Sequence, residues 1–470
     1  MKRLIPALVL LLSSCGPTRE TEIFPRYAVL TNVSPQSPMF RSVQWLARVR
    51  LGTIVPFTDI ERETPSILRK LRELQPAFVA VVLRPEDLDA NFQFALFELS
   101  CRLDSDSFPD FAWGYFLARD PAFLERQMQT IRGAEAKAEK RLLRLTHVET
   151  GAAESRAAAV DLEWATRLPC RLVSLKPGDL EFLRNHRPEI ENADFLIFEG
   201  EGSPEGFRGL PPEEVRTLRL DTTVAFSAGD YTGAVGAAFE TAGAGIARRP
   251  VTPDRSFAQS LIGSGTAALF APLHRTNAGF PAFEWASAIL HDAPLGEAMK
   301  RTYDLSVLSS GYATPVLGRF VDGRTAPTGH DDPAFMAVTR VLFGDPVLQP
   351  FVRPTLGPLS EEARDDGEDS RGNRVRRFRW KVVSPDCAPF FADPFSSGKQ
   401  RIYLRAPVPY GTRRAAAELT GCEFEGKKVP AVIEAQALEH WRDETLLHVL
   451  VRGDALALKG LEVSLSVTFR

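Results

Sequence analysis

The chain has 470 residues, with 57 Lys and Arg against 60 Asp and Glu, a formal charge of −3 and 44% hydrophobic residues. That balance supplies no basic field of the kind nucleic-acid binding needs, and the length allows two to three domains with ordinary cores. Beyond Leu12 no apolar stretch approaches the ~20 residues that cross a bilayer, so the body is expected to be soluble.

At the start of the chain, Lys2 and Arg3 precede an apolar core from Leu4 to Leu12, and Ser13-Ser14-Cys15-Gly16 follows. The run is too short to span a membrane and has the shape of a signal peptide. Its Leu12-Ser13-Ser14-Cys15 ending resembles the lipobox of bacterial lipoproteins. The resemblance implies cleavage before Cys15, acylation of that Cys, and anchoring in the cell envelope outside the cytoplasm. Several acyl chains, at ~0.8 kcal/mol per buried methylene, would make the attachment nearly permanent. The plain alternative is an ordinary signal peptide that happens to contain a Cys.

From Arg26 to about Pro350, short apolar runs alternate with longer amphipathic ones. Tyr27 to Thr31, Phe78 to Leu83, Arg171 to Leu175, Asp194 to Phe198, Thr223 to Phe226 and Thr266 to Phe270 are rich in Val, Leu and Phe, as strands buried on both faces should be. Helices are expected over Thr64–Leu74, Pro121–Leu145, Ala152–Thr166 and Asp179–Asn185. Others are expected over Arg255–Ile262, Phe280–His291 and Leu295–Leu308. Such alternation predicts an α/β domain with a parallel sheet between helices, whose ligands bind at the carboxyl ends of the strands.

Composition changes at Ser360. Residues 358–375 are charged and nearly free of apolar side chains, and read as a solvated linker. Beyond them, 376–470 reads as a small all-β, sandwich-like domain. Its last strand alternates cleanly, with Leu461, Val463, Leu465, Val467 and Phe469 on one face. Of the five Cys, Cys15 is assigned to lipid and Cys101 and Cys170 read as buried thiols. Cys387 and Cys422 could pair, closing a loop that would add ~3–4 kcal/mol in the chain-entropy model.

Several stretches of the α/β part resemble, in order, the landmarks of gingipain-type peptidases, relatives of the caspases. Asp104-Ser-Asp-Ser-Phe-Pro-Asp-Phe-Ala-Trp-Gly-Tyr115 is similar to the family's acidic, Pro-Asp and Gly-Arg segment, with Tyr115 in place of the Arg. Ile197-Phe-Glu-Gly-Glu-Gly-Ser-Pro204 resembles the strand ending in Gly-His-Gly, and Thr223 to Gly233 resembles the next, which ends in Ala-Cys-x-Thr-Gly. Ser260–Ala268, Pro294–Met299 and Leu342–Pro346 resemble later landmarks. The resemblance spans 26–350 and implies a caspase-like sheet core followed by the family's β-domain. It also places Glu201 where the family has its catalytic His, and Asp230 where it has its nucleophilic Cys.

Peptide cleavage of that type requires a thiolate and an imidazole to handle its proton, and a carboxylate is a feeble nucleophile toward an amide. Three readings follow. The chain is a non-catalytic pseudo-peptidase that binds a polypeptide partner in the envelope, with no nucleic acid and membrane contact through lipid alone. Or Glu201 and Asp230 form a new pair, working as acid and base in hydrolysis or holding Ca²⁺ or Mg²⁺. Or other residues do the chemistry, His274 and Ser227 being nearest, although an exposed loop His and a backbone-bonded Ser are commonplace. Asp104, Asp106 and Asp110 have spacing that could ligate Ca²⁺, but a solvated acidic turn fits it better.

Overall fold

A computed structural model describes residues 26–138, 144–149, 170–174, 182–207, 210–242, 245–275, 293–309, 317–327, 333–350, 359–383, 390–392, 400–454 and 456–470. The leader with Cys15, the expected helices at 152–166 and 280–291, and Cys387 lie outside the described residues.

The first part is a mixed α/β body. Its strands are β1 (Tyr27–Thr31), β2 (Thr53–Pro56), β3 (Phe78–Leu83), β4 (Ala112–Leu117), β5 (Leu145–Glu149), β6 (Cys170–Ser174) and β7 (Phe195–Glu199). A minute hairpin, β8 (Gly202–Ser203) and β9 (Gly206–Phe207), precedes β10 (Val224–Ser227). The ribbon β11 (Ala237–Ala242) and β12 (Gly245–Pro250) follows, and then β13 (Ala268–Pro272) and β14 (Arg340–Phe343). Ten of these strands form one sheet in the order β2-β1-β3-β4-β14-β13-β10-β7-β5-β6. It is mostly parallel, with β13 and β14 antiparallel.

β1, β3, β4, β10 and β13 are buried along their whole length, which is why their sequences run apolar without alternation. Helices pack on the sheet. One, Ile60–Leu74, begins earlier than its periodicity suggests. Asp59 caps it by accepting from the N–H groups of Glu61 and Arg62, and Pro65 then sits inside the helix. Gly236, after β10, lies against the backbone of Pro85 and Glu86, just after β3. The carboxyl ends of β3 and β10 therefore share one edge of the sheet.

The second part consists of two antiparallel sheets. Its strands are β15 (Leu359–Glu368), β16 (Arg374–Val382), β17 (Phe390–Ala392), β18 (Gln400–Val408), β19 (Ala415–Phe424), β20 (Lys427–Lys428), β21 (Ala431–Trp441), β22 (Glu444–Gly453) and β23 (Glu462–Phe469). The sheet orders are β15-β16-β23-β19-β20 and β17-β18-β22-β21. Val463, Leu465 and Val467 of one sheet meet Val449 and Val451 of the other in a shared apolar core.

The stretch expected to be a linker is corrected here. Residues 359–368 form β15, paired along their length with β16, so the β part begins near Leu359 rather than at 376. Charge did not prevent a strand because its acids face the basic residues of β16. Arg376 forms a two-point ion pair with Asp365, and Arg377 Nε lies 2.5 Å from Asp366.

Candidate functional site

Glu201 and Asp230 follow the carboxyl ends of β7 and β10, which are neighbouring parallel strands in register from Phe195–Val224 to Phe198–Ser227. Chain geometry then turns both loops toward each other. Gly200 has φ 137°, which favours glycine, and lets the chain leave β7 sharply into the β8–β9 hairpin. A Cβ on Gly202 would lie 2.7 Å from the Asp230 carbonyl oxygen and from the Gly229 carbonyl carbon. The two loops thus touch backbone to backbone, with Glu201 exposed and Asp230 half-buried beside that contact. Beneath them Phe198, Phe207 and Phe257 pack at ring separations of 5.3–5.6 Å and give the rim an apolar floor.

The turn after Asp230 is fixed by several hydrogen bonds. Tyr231 has φ 59°, a left-handed conformation unusual for a large side chain. Its N–H donates to the His274 carbonyl at 3.1 Å, and the Gly233 N–H donates to the Pro272 carbonyl at 2.8 Å. The loop after β10 is thereby tied to the end of β13. Backbone strain of this kind tends to be kept where surrounding structure imposes it, often at functional loops.

His274, expected to be an exposed loop residue, is instead 1% exposed. Its ring lies 5.2 Å from Tyr231 and 4.6 Å from Phe320, so it packs against the back of the Asp230 turn. Ser227 is buried as well. Its hydroxyl and that of Thr232 are 2.5 Å apart, Thr232 also donates to the Gly229 carbonyl, and the buried Arg340 guanidinium donates to the Ser227 carbonyl at 3.1 Å. A hydroxyl held this way shapes the turn and does not face solvent as a nucleophile.

The acidic segment before β4 lies elsewhere. Asp104, Asp106 and Asp110 precede the amino end of β4, and their loop is folded on itself. Asp104 accepts from the Asp106 N–H, Asp106 from the Phe108 N–H, and Asp110 from the Leu103 N–H, at 2.8–2.9 Å. Burial, and next the charge of Asp104, push the Asp106 carboxyl up to about 7 and raise Asp110 as well. Tyr115 is buried in β4 with its hydroxyl donating to Gln93.

A cluster that the sequence did not reveal joins the two parts. Asp304, on helix Leu295–Ser309, comes together with Glu439 of β21 and His448 of β22, and all three are buried. Among the described residues these alone converge as metal ligands would, yet the Lys300 ammonium stands among them. It donates to Asp304 at 2.7 Å and to Glu439, while His448 bonds Glu439 through Nε2 at 2.6 Å and Tyr403 through Nδ1. Opposing burial, the Asp304 and Glu439 charges raise the Lys300 pKa, and Lys300 and His448 hold Glu439 far below the usual carboxylate range. The ammonium serves as the cation of this closed set. Sequence offers only the Lys300–Asp304 spacing on one helix, since Glu439 lies in a distant strand.

No family model matches the chain, and no curated protein matches it. Among solved structures, the complex of pro- and mature domains of RgpB from Porphyromonas gingivalis is 11% identical, with a TM-score of 0.45, over 90% of this chain and 93% of that one. Another, of a protease, is 10% identical with a TM-score of 0.45, over 90% of this chain and 91% of that one. The Saccharomyces cerevisiae separase–securin complex is 10% identical with a TM-score of 0.28, over 63% of this chain and 18% of that one.

Proposed function

We propose that this chain is an exported, lipid-anchored protein of the cell envelope that keeps a peptidase-like body without peptidase chemistry. Its rim at the ends of β7 and β10 binds a polypeptide. The observation that carries the reading is the pair of substitutions at one place. By the sequence resemblance, Glu201 and Asp230 stand where that family has its His and Cys, and their loops are in backbone contact through Gly202 and Gly229. Neither residue supplies a thiolate or an imidazole. The described cysteines do not replace them, since Cys101 ends the helix Ala90–Ser100, Cys170 opens β6 at its amino end, and Cys422 lies in the core of the β part.

The second reading, hydrolysis or divalent-cation binding by the carboxylate pair, is favoured by the same contact between loops, which brings both residues to one rim. One set of assays separates the two. The full chain is tested for cleavage of denatured protein and for binding of the same polypeptide by fluorescence anisotropy. Binding without cleavage, weakened tenfold or more when Asp230→Trp fills the rim, is the expected result. Cleavage by wild type that Asp230→Asn abolishes would overturn the non-catalytic reading.

A further inference from the structure

Among the described residues, five large apolar side chains stand exposed: Val49, Leu51, Val321, Tyr410 and Val432. Three of them gather where β1 begins. Val49 closes the helix Phe40–Val49 and is 45% exposed, and Leu51, two positions on, is 76% exposed. The next residue packs on the first strand, since a Cβ on Gly52 would lie 2.8 Å from the Tyr27 ring. Tyr27 pairs with Phe78 across β1 and β3, and Arg442, in the β21–β22 turn, covers the Phe78 ring at 4.5 Å. Beside that turn the Gly411 N–H donates to Thr445 Oγ1 at 3.3 Å, which brings in Tyr410, 70% exposed. The other two lie apart. Gly323, just after Val321, donates to the Ile246 carbonyl in the β11–β12 ribbon, and Val432 sits at the far end of β21 from its turn.

Leu51 is doubly unfavourable in water. Its side chain is wetted, and its φ of 52° is the left-handed conformation that glycine ordinarily takes just past a helix. Arg26, Arg48, Arg413 and Arg414 stand exposed near the three apolar residues, against Glu73, Asp443 and Glu444. This edge of the sheet is the one opposite the rim. β1 runs parallel to β3, whose carboxyl end shares the other edge with that of β10. Asp345 agrees with that placement. It lies two residues past β14, whose Phe343 pairs with Leu269 near the start of β13, and it accepts from the Tyr27 hydroxyl at 3.0 Å and Arg50 Nε at 2.7 Å.

We propose that this edge docks on the lipid bilayer that holds the anchor, with Val49, Leu51 and Tyr410 entering the headgroup boundary and the arginines meeting lipid phosphates. The proposal rests on acylation of Cys15. Only residues 16–25 separate that Cys from Arg26, and fully extended they let the body stand at most ~40 Å from its acyl chains. Arg26 leads straight into β1, so the tether delivers this edge to the lipid first. Aliphatic side chains gain by leaving water there, a Tyr places its ring in the apolar zone and its hydroxyl among headgroups, and arginine complements an anionic surface. The rim with Glu201 and Asp230 then faces away from the membrane, open to an approaching polypeptide.

The test is hydroxyl-radical footprinting of the full lipoprotein in vesicles of phosphatidylethanolamine and phosphatidylglycerol, read by mass spectrometry. Each oxidation rate is divided by the intrinsic reactivity of its side chain. Leu51 and Tyr410 should be oxidised at least fivefold more slowly than Val321 and Val432, although they are the more exposed in the chain itself. Protection that fades as the protein is diluted with lipid would mean that a second copy covers the edge, and would overturn the proposal. So would slower oxidation of Val321 and Val432. The mass of the amino-terminal peptide separates this proposal from the reading beneath it. A Cys15 without acyl chains removes the anchor and the docking together. Acyl chains on Cys15, with Leu51 and Tyr410 oxidised as freely as the two valines, overturn the docking alone.

Discussion

Gly202 and Asp230 stand so close that a single methyl group on the glycine would lie 2.7 Å from the Asp230 carbonyl oxygen. No side chain can enter there without moving one of the two loops. Gly202→Ala is therefore expected to destabilise the chain by about 1–3 kcal/mol, as overpacking of a rigid contact does. Thermal unfolding measures the loss, and unchanged stability would mean the loops are not held together.

Asp230→Asn distinguishes an occupied carboxylate pair from a relic. In the non-catalytic reading, calcium and magnesium leave the melting temperature of the wild type unchanged, and the variant is as stable as wild type or more so. A rise with cation that the variant loses would place a working ion site at Glu201 and Asp230.

Lys300→Met removes the cation from a seam that is otherwise sealed. Lys300, Asp304 and Glu439 are each 2% exposed or less, so Asp304 and Glu439 would be left facing each other with His448 alone bonded to Glu439. Breaking one side of such a set costs about 3–5 kcal/mol. Calorimetry should show that loss, together with separation of one unfolding transition into two if the seam couples the body to the β part.

Stability should also peak on the acid side of neutral. Burial raises Asp106 and Asp110 above their unfolded values, so their contribution is complete below about pH 4 and is lost as pH rises through about 7 for Asp106 and about 8 for Asp110. Glu297 and Glu439 are lowered, chiefly by Arg301 and by Lys300 respectively working against burial, so their contribution is present above the ordinary Glu value and disappears below it. Burial lowers His448 as well, so its contribution is lost as pH falls below its ordinary value; together these predict greatest resistance to urea between about pH 5 and 7 and a decline toward pH 8. A maximum at or above pH 8 would contradict the assignment.

What the sequence disclosed follows from how burial is distributed. β1 and β3 were legible because runs of four and six consecutive apolar residues are buried on both faces. β23 was legible because Val463, Leu465, Val467 and Phe469 face the core while their neighbours are half-exposed. Helix Ala90–Ser100 was hidden for the opposite reason. Phe94, Ala95, Leu96, Phe97 and Leu99 are all buried, so no 3.6-residue stripe remains to be seen. β15 was hidden by its charges, whose partners lie across the hairpin in β16. At the rim, the family resemblance implied Glu201 and Asp230 at neighbouring strand ends, and β7 and β10 do lie side by side, but nothing local announced that His274 would be buried behind them. The Lys300 set was beyond reach, because Lys300 and Glu439 are 139 positions apart and meet only after both parts have folded.

Strand β15 carries a last consequence, for the company the molecule keeps. It is the outer strand of its sheet and is exposed along nearly its whole length, so one row of its backbone groups offers itself to any extended chain nearby. With Asp365 and Asp366 paired to Arg376 and Arg377, Glu361, Glu362 and Glu368 still fence that border with like charge, and two copies meeting there would repel. Crowded side by side, neighbouring molecules would thus remain separate individuals at low salt, while concentrated salt would thin the fence and let them zip together along their edges.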